Sequence, residues 1–236
     1  MKSIEKIYSS FCEAWNMVID VPLAAEDGGR AAEPHLVAMF IPLAGVICGV
    51  LLTALGVLCA WRGGAFLWAF AALIALELVD SGRGSRQVAS SIEKFISRSG
   101  KAGVLPAAGT LLMIFKLAAL YIISRGGNCG YMTVFFVTVF SVEMYLAVLP
   151  GRGQLIAVDE EDKKLIWIIP AAVGFFWFWF YPYATVLSAL AAWGVVKVFR
   201  KKVWKEGFVP GGDDITLVSG FCEVVLLAAA VLTMGA

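Results

Sequence analysis

Apolar residues in this chain come in long unbroken runs rather than in the alternation of a strand. The runs lie at about 36–60, 63–79, 104–124, 130–149, 165–181, 183–199 and 215–234. Each meets or approaches the roughly 20 residues that a helix needs to cross the bilayer core. They predict seven transmembrane helices. A membrane β-barrel would alternate apolar and polar positions instead. Ahead of the runs, Ile4, Ile7, Tyr8, Phe11, Trp15 and Val18 recur at helical spacing, with Lys2, Glu5, Lys6 and Glu13 elsewhere on the wheel. That pattern predicts a helix lying in the membrane interface. Pro22, Gly28, Gly29 and Pro34 break 21–34 into a loop. The expected fold is all-α: a polytopic membrane helix bundle with about seven transmembrane helices and an N-terminal interfacial helix. It forms one integral membrane domain over 1–236, with the interfacial helix and loop in 1–34 and the bundle in 35–236.

Composition agrees. Of 236 residues, 60% are hydrophobic and 16% charged, and mean hydropathy is +0.83. Soluble domains have ~45–50% apolar and ~25% charged residues, so a water-soluble core protein is excluded, and disorder with it. A net charge of +1 makes no case for nucleic acid. The distribution of charge says more. If seven spans are threaded, sixteen of the 19 basic residues fall on one side, in the N-terminal region and the loops near 80–103, 150–164 and 197–214. Only Arg62 and Arg125 fall on the other side, and Lys116 is mid-span. The positive-inside rule then puts the N-terminus in the cytosol and the C-terminus outside, in a bacterial cytoplasmic membrane. The first 20 residues are too acidic and polar for a signal peptide.

Local signals refine the bundle. Pro182 lacks an amide hydrogen and splits the fifth and sixth runs into a hairpin. The aromatic run Phe175–Tyr181 suits a membrane interface. Gly45 and Gly49 form a GxxxG pair that lets another helix approach. Cys12, Cys48, Cys59, Cys129 and Cys222 show no CxxC pair and read as small apolar side chains. The single histidine, His35, precedes the first span and reads as an interface residue.

Ionisable residues inside a bilayer are expensive and mark candidate sites. Glu77 and Asp80 close the second run, Lys116 sits in the third, Glu143 in the fourth, and Asp213, Asp214 and Glu223 begin the seventh. In a compact bundle Glu77, Asp80, Asp213, Asp214 and Glu223 would converge on one cytosol-facing cavity. Carboxylates near Lys and Arg suit Mg²⁺ with phosphate, because Mg²⁺ shares a few carboxylates with phosphate oxygens. Plainer readings compete. Lys116 and Glu143 would form a buried ion pair, and Asp213-Asp214 would cap a helix. Asp159-Glu160-Glu161-Asp162 would be a solvated loop. Lys197, Arg200, Lys201, Lys202 and Lys205 would anchor a span on anionic lipid. No Ser-His-Asp triad can be assembled from one histidine, and Gly211-Gly212-Asp213-Asp214 lacks the Lys-Ser/Thr of a phosphate loop.

The order of these features resembles the cobalamin synthase family, the membrane-embedded adenosylcobinamide-GDP ribazoletransferases. The likeness runs over nearly the whole chain. It includes the amphipathic start Phe11–Met17 followed by Val21-Pro22, and the F-x-P-L-x-G-x-x-x-G span Phe40–Gly49. It continues through Lys116, the loop Pro150-Gly151-Arg152 to Lys164, and Gly211-Gly212-Asp213-Asp214 leading to Cys222-Glu223. The family's His-Leu-Asp-Gly-x-x-Asp-x-x-Asp motif is eroded: its histidine falls at Ala71, its first aspartate at Leu73, and only Glu77 and Asp80 stand for later acids.

The resemblance implies joining of α-ribazole, or its phosphate, to adenosylcobinamide-GDP with release of GMP. It implies Mg²⁺ as cofactor on Glu77, Asp80, Asp213 and Asp214. Glu77, Asp80 and Asp213 would be catalytic, and Arg83, Arg86, Lys101, Lys116 and Glu223 would bind substrate. Partners would be corrinoid and nucleotide small molecules, the lipid bilayer, and a second copy or other corrinoid-assembly enzymes, with no nucleic acid. The alternatives are an inactive relative that binds or assembles corrinoids, and an unrelated small transporter.

Overall fold

The structure is a computed structural model that describes residues 2–19, 23, 32–62, 64–79, 82–97, 105–148, 168–202 and 212–234. Every regular element among them is a helix. In chain order these are α1 (Lys2–Val18), α2 (Pro34–Arg62), α3 (Gly64–Val79), α4 (Arg83–Ser97), α5 (Leu105–Ser124), α6 (Asn128–Val148), α7 (Ile168–Phe180), α8 (Pro182–Lys202) and α9 (Gly212–Met234). Each of the seven apolar runs becomes one helix.

Not all of those helices are long enough to cross. Among the described residues three pass by length and composition: His35–Cys59, Pro182–Phe199 and Thr216–Thr233. A fourth would be the pair Gly64–Leu78 and Arg83–Glu93 taken as one span, bent by 86°. The reason is arithmetic. At about 1.5 Å per residue, the 16 described residues of α3 and the 13 of α7 fall short of a hydrocarbon core of about 30 Å. The chain is thus an all-helical membrane protein, with three or four candidate spans and several shorter apolar helices among the described residues.

The core lies where α2, α3, α5, α6, α7 and α9 meet. Trp68, Leu120, Ile123, Val134, Trp177 and Leu226 are fully buried there. Trp68 stacks at a tilt on Tyr131, ring centres 4.8 Å apart, and donates its indole hydrogen to the Leu52 carbonyl at 3.4 Å. The GxxxG signal holds at Gly49. A Cβ there would lie 2.6 Å from Phe135 Cδ2, so only glycine lets α2 and α6 close to this distance. The outside is apolar: Leu51, Leu58, Phe66, Phe176, Trp179 and Leu190 are all exposed. A water-facing surface rarely carries so much contiguous apolar area, and a bilayer covers it.

The hairpin break falls where expected. α7 ends at Phe180 and Pro182 opens α8, at the first-turn position that proline tolerates. Tyr181 bridges the two: its carbonyl accepts from the Thr185 amide at 2.9 Å and the Thr185 hydroxyl at 2.8 Å. The aromatic run divides, however. Phe175, Phe176, Phe178, Trp179 and Phe180 face outward, but Trp177 is buried against Phe136, because helical periodicity turns one position of the run inward.

The amphipathic start forms α1, and half of it is core. Ala14, Val18 and Ile19 pack on Val37, Ala38, Ile41 and Ala44 of α2, leaving Ile4, Ile7 and Tyr8 exposed. Lys6 ties α1 to Glu33 just before α2. The Lys6 ammonium holds the Glu33 carboxyl below its ordinary value of 4.5, mainly through their hydrogen bond. A lowered folded-state pKa contributes stability above the unfolded value, which is lost as pH falls through the folded one. Protection of the α1 amides, relative to the intrinsic exchange rate at each pH, is expected to fall below about pH 4.5 in the native chain. In Glu33→Gln that protection is expected to change little over the same range.

One expectation is corrected. The basic segment 80–103 was read as a loop, yet Arg83–Ser97 forms the helix α4. It packs Val88 and Ala89 inward and keeps Arg86 outside. Its periodicity is present in Val88, Ala89 and Ile92, and Arg86 belongs to its outer face.

Candidate functional site

Four helices bring polar groups to one point. α3 supplies Glu77, α4 supplies Ser85, α5 supplies Lys116 and α9 supplies Glu223. The local chain makes this possible through Gly82. Its φ of +65° is easy for glycine and strained for other residues. Its amide donates to the Glu77 carbonyl at 2.7 Å and its carbonyl accepts from the Arg86 amide at 3.0 Å. α3 therefore ends and α4 begins within one turn, and the first turn of α4 points back at Glu77.

Lys116 is the hub. Its side chain is 3% exposed, against 18% for Glu77 and 15% for Glu223, so the ammonium lies deeper than either carboxylate. Nζ donates to Glu77 Oε1 at 2.9 Å and to Ser85 Oγ at 2.8 Å. Glu223 Oε1 lies 2.9 Å from Nζ as an ion pair without hydrogen-bond alignment. Ser85 in turn donates to Glu77 Oε1 at 2.7 Å. Two carboxylates facing one ammonium leave an excess negative charge. The positive end of the α4 helix dipole, at Arg83–Ser85, offsets part of it. Glu77 Oε2 is buried and has no hydrogen-bond partner among the described residues.

Three of the expected residues are therefore together: Glu77, Lys116 and Glu223. Arg83 and Arg86 stand on α4 beside them, with Arg86 exposed and its Nε donating to the Gly82 carbonyl at 3.3 Å. Asp80 and Lys101 lie outside the described residues. Asp213 and Asp214 belong to the first turn of α9, with side chains outside the description. By the helical rise they stand about 15 Å along the axis from Glu223, too far to share one ion with it. The expected partner of Lys116, Glu143, lies on α6, and its side chain is also outside the description. Among the described side chains the lysine's partners are Glu77, Ser85 and Glu223. The acidic run 159–162 and Lys205 lie outside the described residues too, while Lys197, Arg200, Lys201 and Lys202 stand at the end of α8, the last three with side chains outside the description. His35 sits 3.6 Å from Glu33. Cys12, Cys48, Cys59 and Cys222 are free thiols.

Ser85 was not foreseen. Its signal was the Gly82 turn: a helix restarting there must aim its first residues at whatever closes α3.

The Glu77–Lys116–Glu223 cluster offers no Mg²⁺ site by itself, and the side chains of Asp80, Asp213 and Asp214 lie outside the description. No group of three or more His, Cys, Asp or Glu side chains gathers among the described residues. The position between the two carboxylates that come together is held by an ammonium. Mg²⁺ demands near-octahedral oxygen ligands, and a cation at that point would meet Lys116 first. No family model, no curated protein and no solved structure matches the chain.

Proposed function

We propose that this chain is a membrane-embedded transferase of the cobalamin synthase type. It joins α-ribazole, or its phosphate, to adenosylcobinamide-GDP and releases GMP. In this reading all seven apolar helices lie in a bacterial cytoplasmic membrane, with the N-terminus cytosolic and the C-terminus outside, as the charge split favours. The observation that carries the proposal is the meeting of Glu77, Lys116 and Glu223. These are the lysine of the third run and the acids that end the second and begin the seventh, all three singled out by the resemblance.

The roles follow from charge and position. The unpartnered Glu77 Oε2 takes the proton of the attacking hydroxyl. The Lys116 ammonium offsets charge on the phosphoryl oxygens. Arg83 and Arg86 offer forks for the nucleotide's phosphates at the exposed edge of α4. Mg²⁺ enters only as the counter-ion of those phosphates.

The test is a direct assay. Detergent-purified protein is incubated with adenosylcobinamide-GDP, α-ribazole and Mg²⁺, and cobalamin and GMP are sought by mass spectrometry. Product is expected, and Glu77→Gln is expected to lower the rate about a hundredfold or more. Failure to form product beside an active synthase would overturn the reading. A second reading is then favoured by the ammonium seated between the carboxylates: a relative that binds corrinoid without transferring the nucleotide. Retained adenosylcobinamide binding without turnover distinguishes it.

A further inference from the structure

A cavity of about 180 Å³ lies between α6, α7 and α8, bounded by Phe140, Trp177, Ser188, Ala192 and Trp193. It shares no lining residue with the Glu77–Lys116 centre. Its walls are almost wholly apolar, and three of the five side chains named are aromatic. Trp177 is wedged in place, stacked on Phe136 at 5.3 Å and tilted on Phe140 at 5.2 Å. Trp193 is 60% exposed, so the cavity reaches the outer flank of the bundle.

Two of the lining side chains carry a buried polar atom without a hydrogen-bond partner among the described residues, Trp177 at Nε1 and Ser188 at Oγ. Both side chains are 1% exposed. The nearby Thr185 hydroxyl is already committed to the Tyr181 carbonyl at 2.8 Å. Burying a donor without an acceptor is costly, and native proteins rarely do so without cause. Serine at position 188 and tryptophan at position 177 could be alanine or phenylalanine if the cavity needed only to be filled.

Size, walls and donors select a ligand. An apolar protein cavity of roughly 150 Å³ accepts benzene, so this one holds one ring with small substituents. Aromatic walls favour a flat ring through offset or edge-to-face contacts. A lipid acyl chain would fill the space but carries no acceptor along its length. A lone water would find only these two polar atoms beside apolar walls.

We propose that this cavity is a binding site for a single flat aromatic ring bearing one hydrogen-bond-accepting oxygen or nitrogen. The Trp177 indole N–H and the Ser188 hydroxyl donate to that acceptor, and Phe140 and Trp193 flank the ring.

The test uses the full chain in lipid nanodiscs, labelled with ¹⁵N in its tryptophan indoles. The Trp177 resonance is assigned by its loss in Trp177→Phe. 4-Methylphenol is titrated against toluene, which has the same ring and methyl group without the oxygen. The Trp177 N–H resonance is expected to shift saturably with 4-methylphenol, and toluene is expected to bind about tenfold more weakly. Ser188→Ala, which keeps the fold's contacts, is expected to weaken 4-methylphenol several-fold. Ala192→Leu, which fills the cavity, is expected to abolish the shift. Equal binding of toluene would overturn the proposal in favour of an acyl-chain or shape-only pocket. A ligand-free indole resonance with a persistent cross-peak to water, and no saturable shift, would overturn it in favour of a bound water.

Discussion

Lys116→Met is expected to destabilise the bundle by about 3–5 kcal/mol, the cost of leaving buried charge without its partner. Removing the ammonium leaves Glu77 and Glu223 facing each other with no cation between them. Ser85 can satisfy only one oxygen of Glu77. Reversible unfolding in SDS, or thermal melting in detergent, reads the loss. The triple variant Lys116→Met, Glu77→Gln, Glu223→Gln is expected to recover most of it, because replacing a whole buried ionic set costs far less than breaking it. If Lys116→Met alone were neutral, the hub would not hold the helices. The same variants separate structure from chemistry: the triple variant should be folded and inactive.

Gly220→Ala and Gly194→Ala are expected to act with opposite signs. Both glycines are helical, on α9 and α8. A Cβ at Gly220 would lie 2.9 Å from the Gly84 carbonyl oxygen and 3.1 Å from Val88 Cγ2. The first of these is backbone and cannot turn aside, so α4 must shift away from α9. Overpacking of this kind costs about 1–3 kcal/mol. Gly84 adjoins Ser85, so the same shift moves the hydroxyl that bridges Glu77 and Lys116, and the proposed activity should fall with stability. At Gly194 nothing stands within 4 Å of a new Cβ. There, alanine is expected to stabilise by about 0.5–1 kcal/mol through helix propensity alone. Paired melts of the two variants check the prediction, and equal shifts would show that the α4–α9 contact yields.

The sequence and the structure agree where the signal is local. The break at Pro182 follows from a missing amide hydrogen, and the close approach at Gly49 from a missing side chain. Both are properties of the residue itself. Lys116 was legible as a functional or structural centre because a charge in an apolar run is costly wherever it sits. Its partners were not legible. Glu77 on α3 and Glu223 on α9 lie far from it along the chain, and only the packing of α5 against α3, α4 and α9 brings them to it. α4 was hidden for another reason: its basic residues weighed toward a loop, although its apolar positions kept helical spacing. Trp177 was hidden inside a run that was read as uniform.

The hub also has an order of assembly built into it. Glu77 and Lys116 are 39 residues apart, so they leave the ribosome close together, while Glu223 follows only with the last helix. Chains fold from the N-terminus as they are made. A nascent chain that has released α3 to α5 already holds both members of the Glu77–Lys116 pair, before α9 brings its own carboxylate. Biogenesis can then proceed helix by helix, with Glu223 joining a pair already formed.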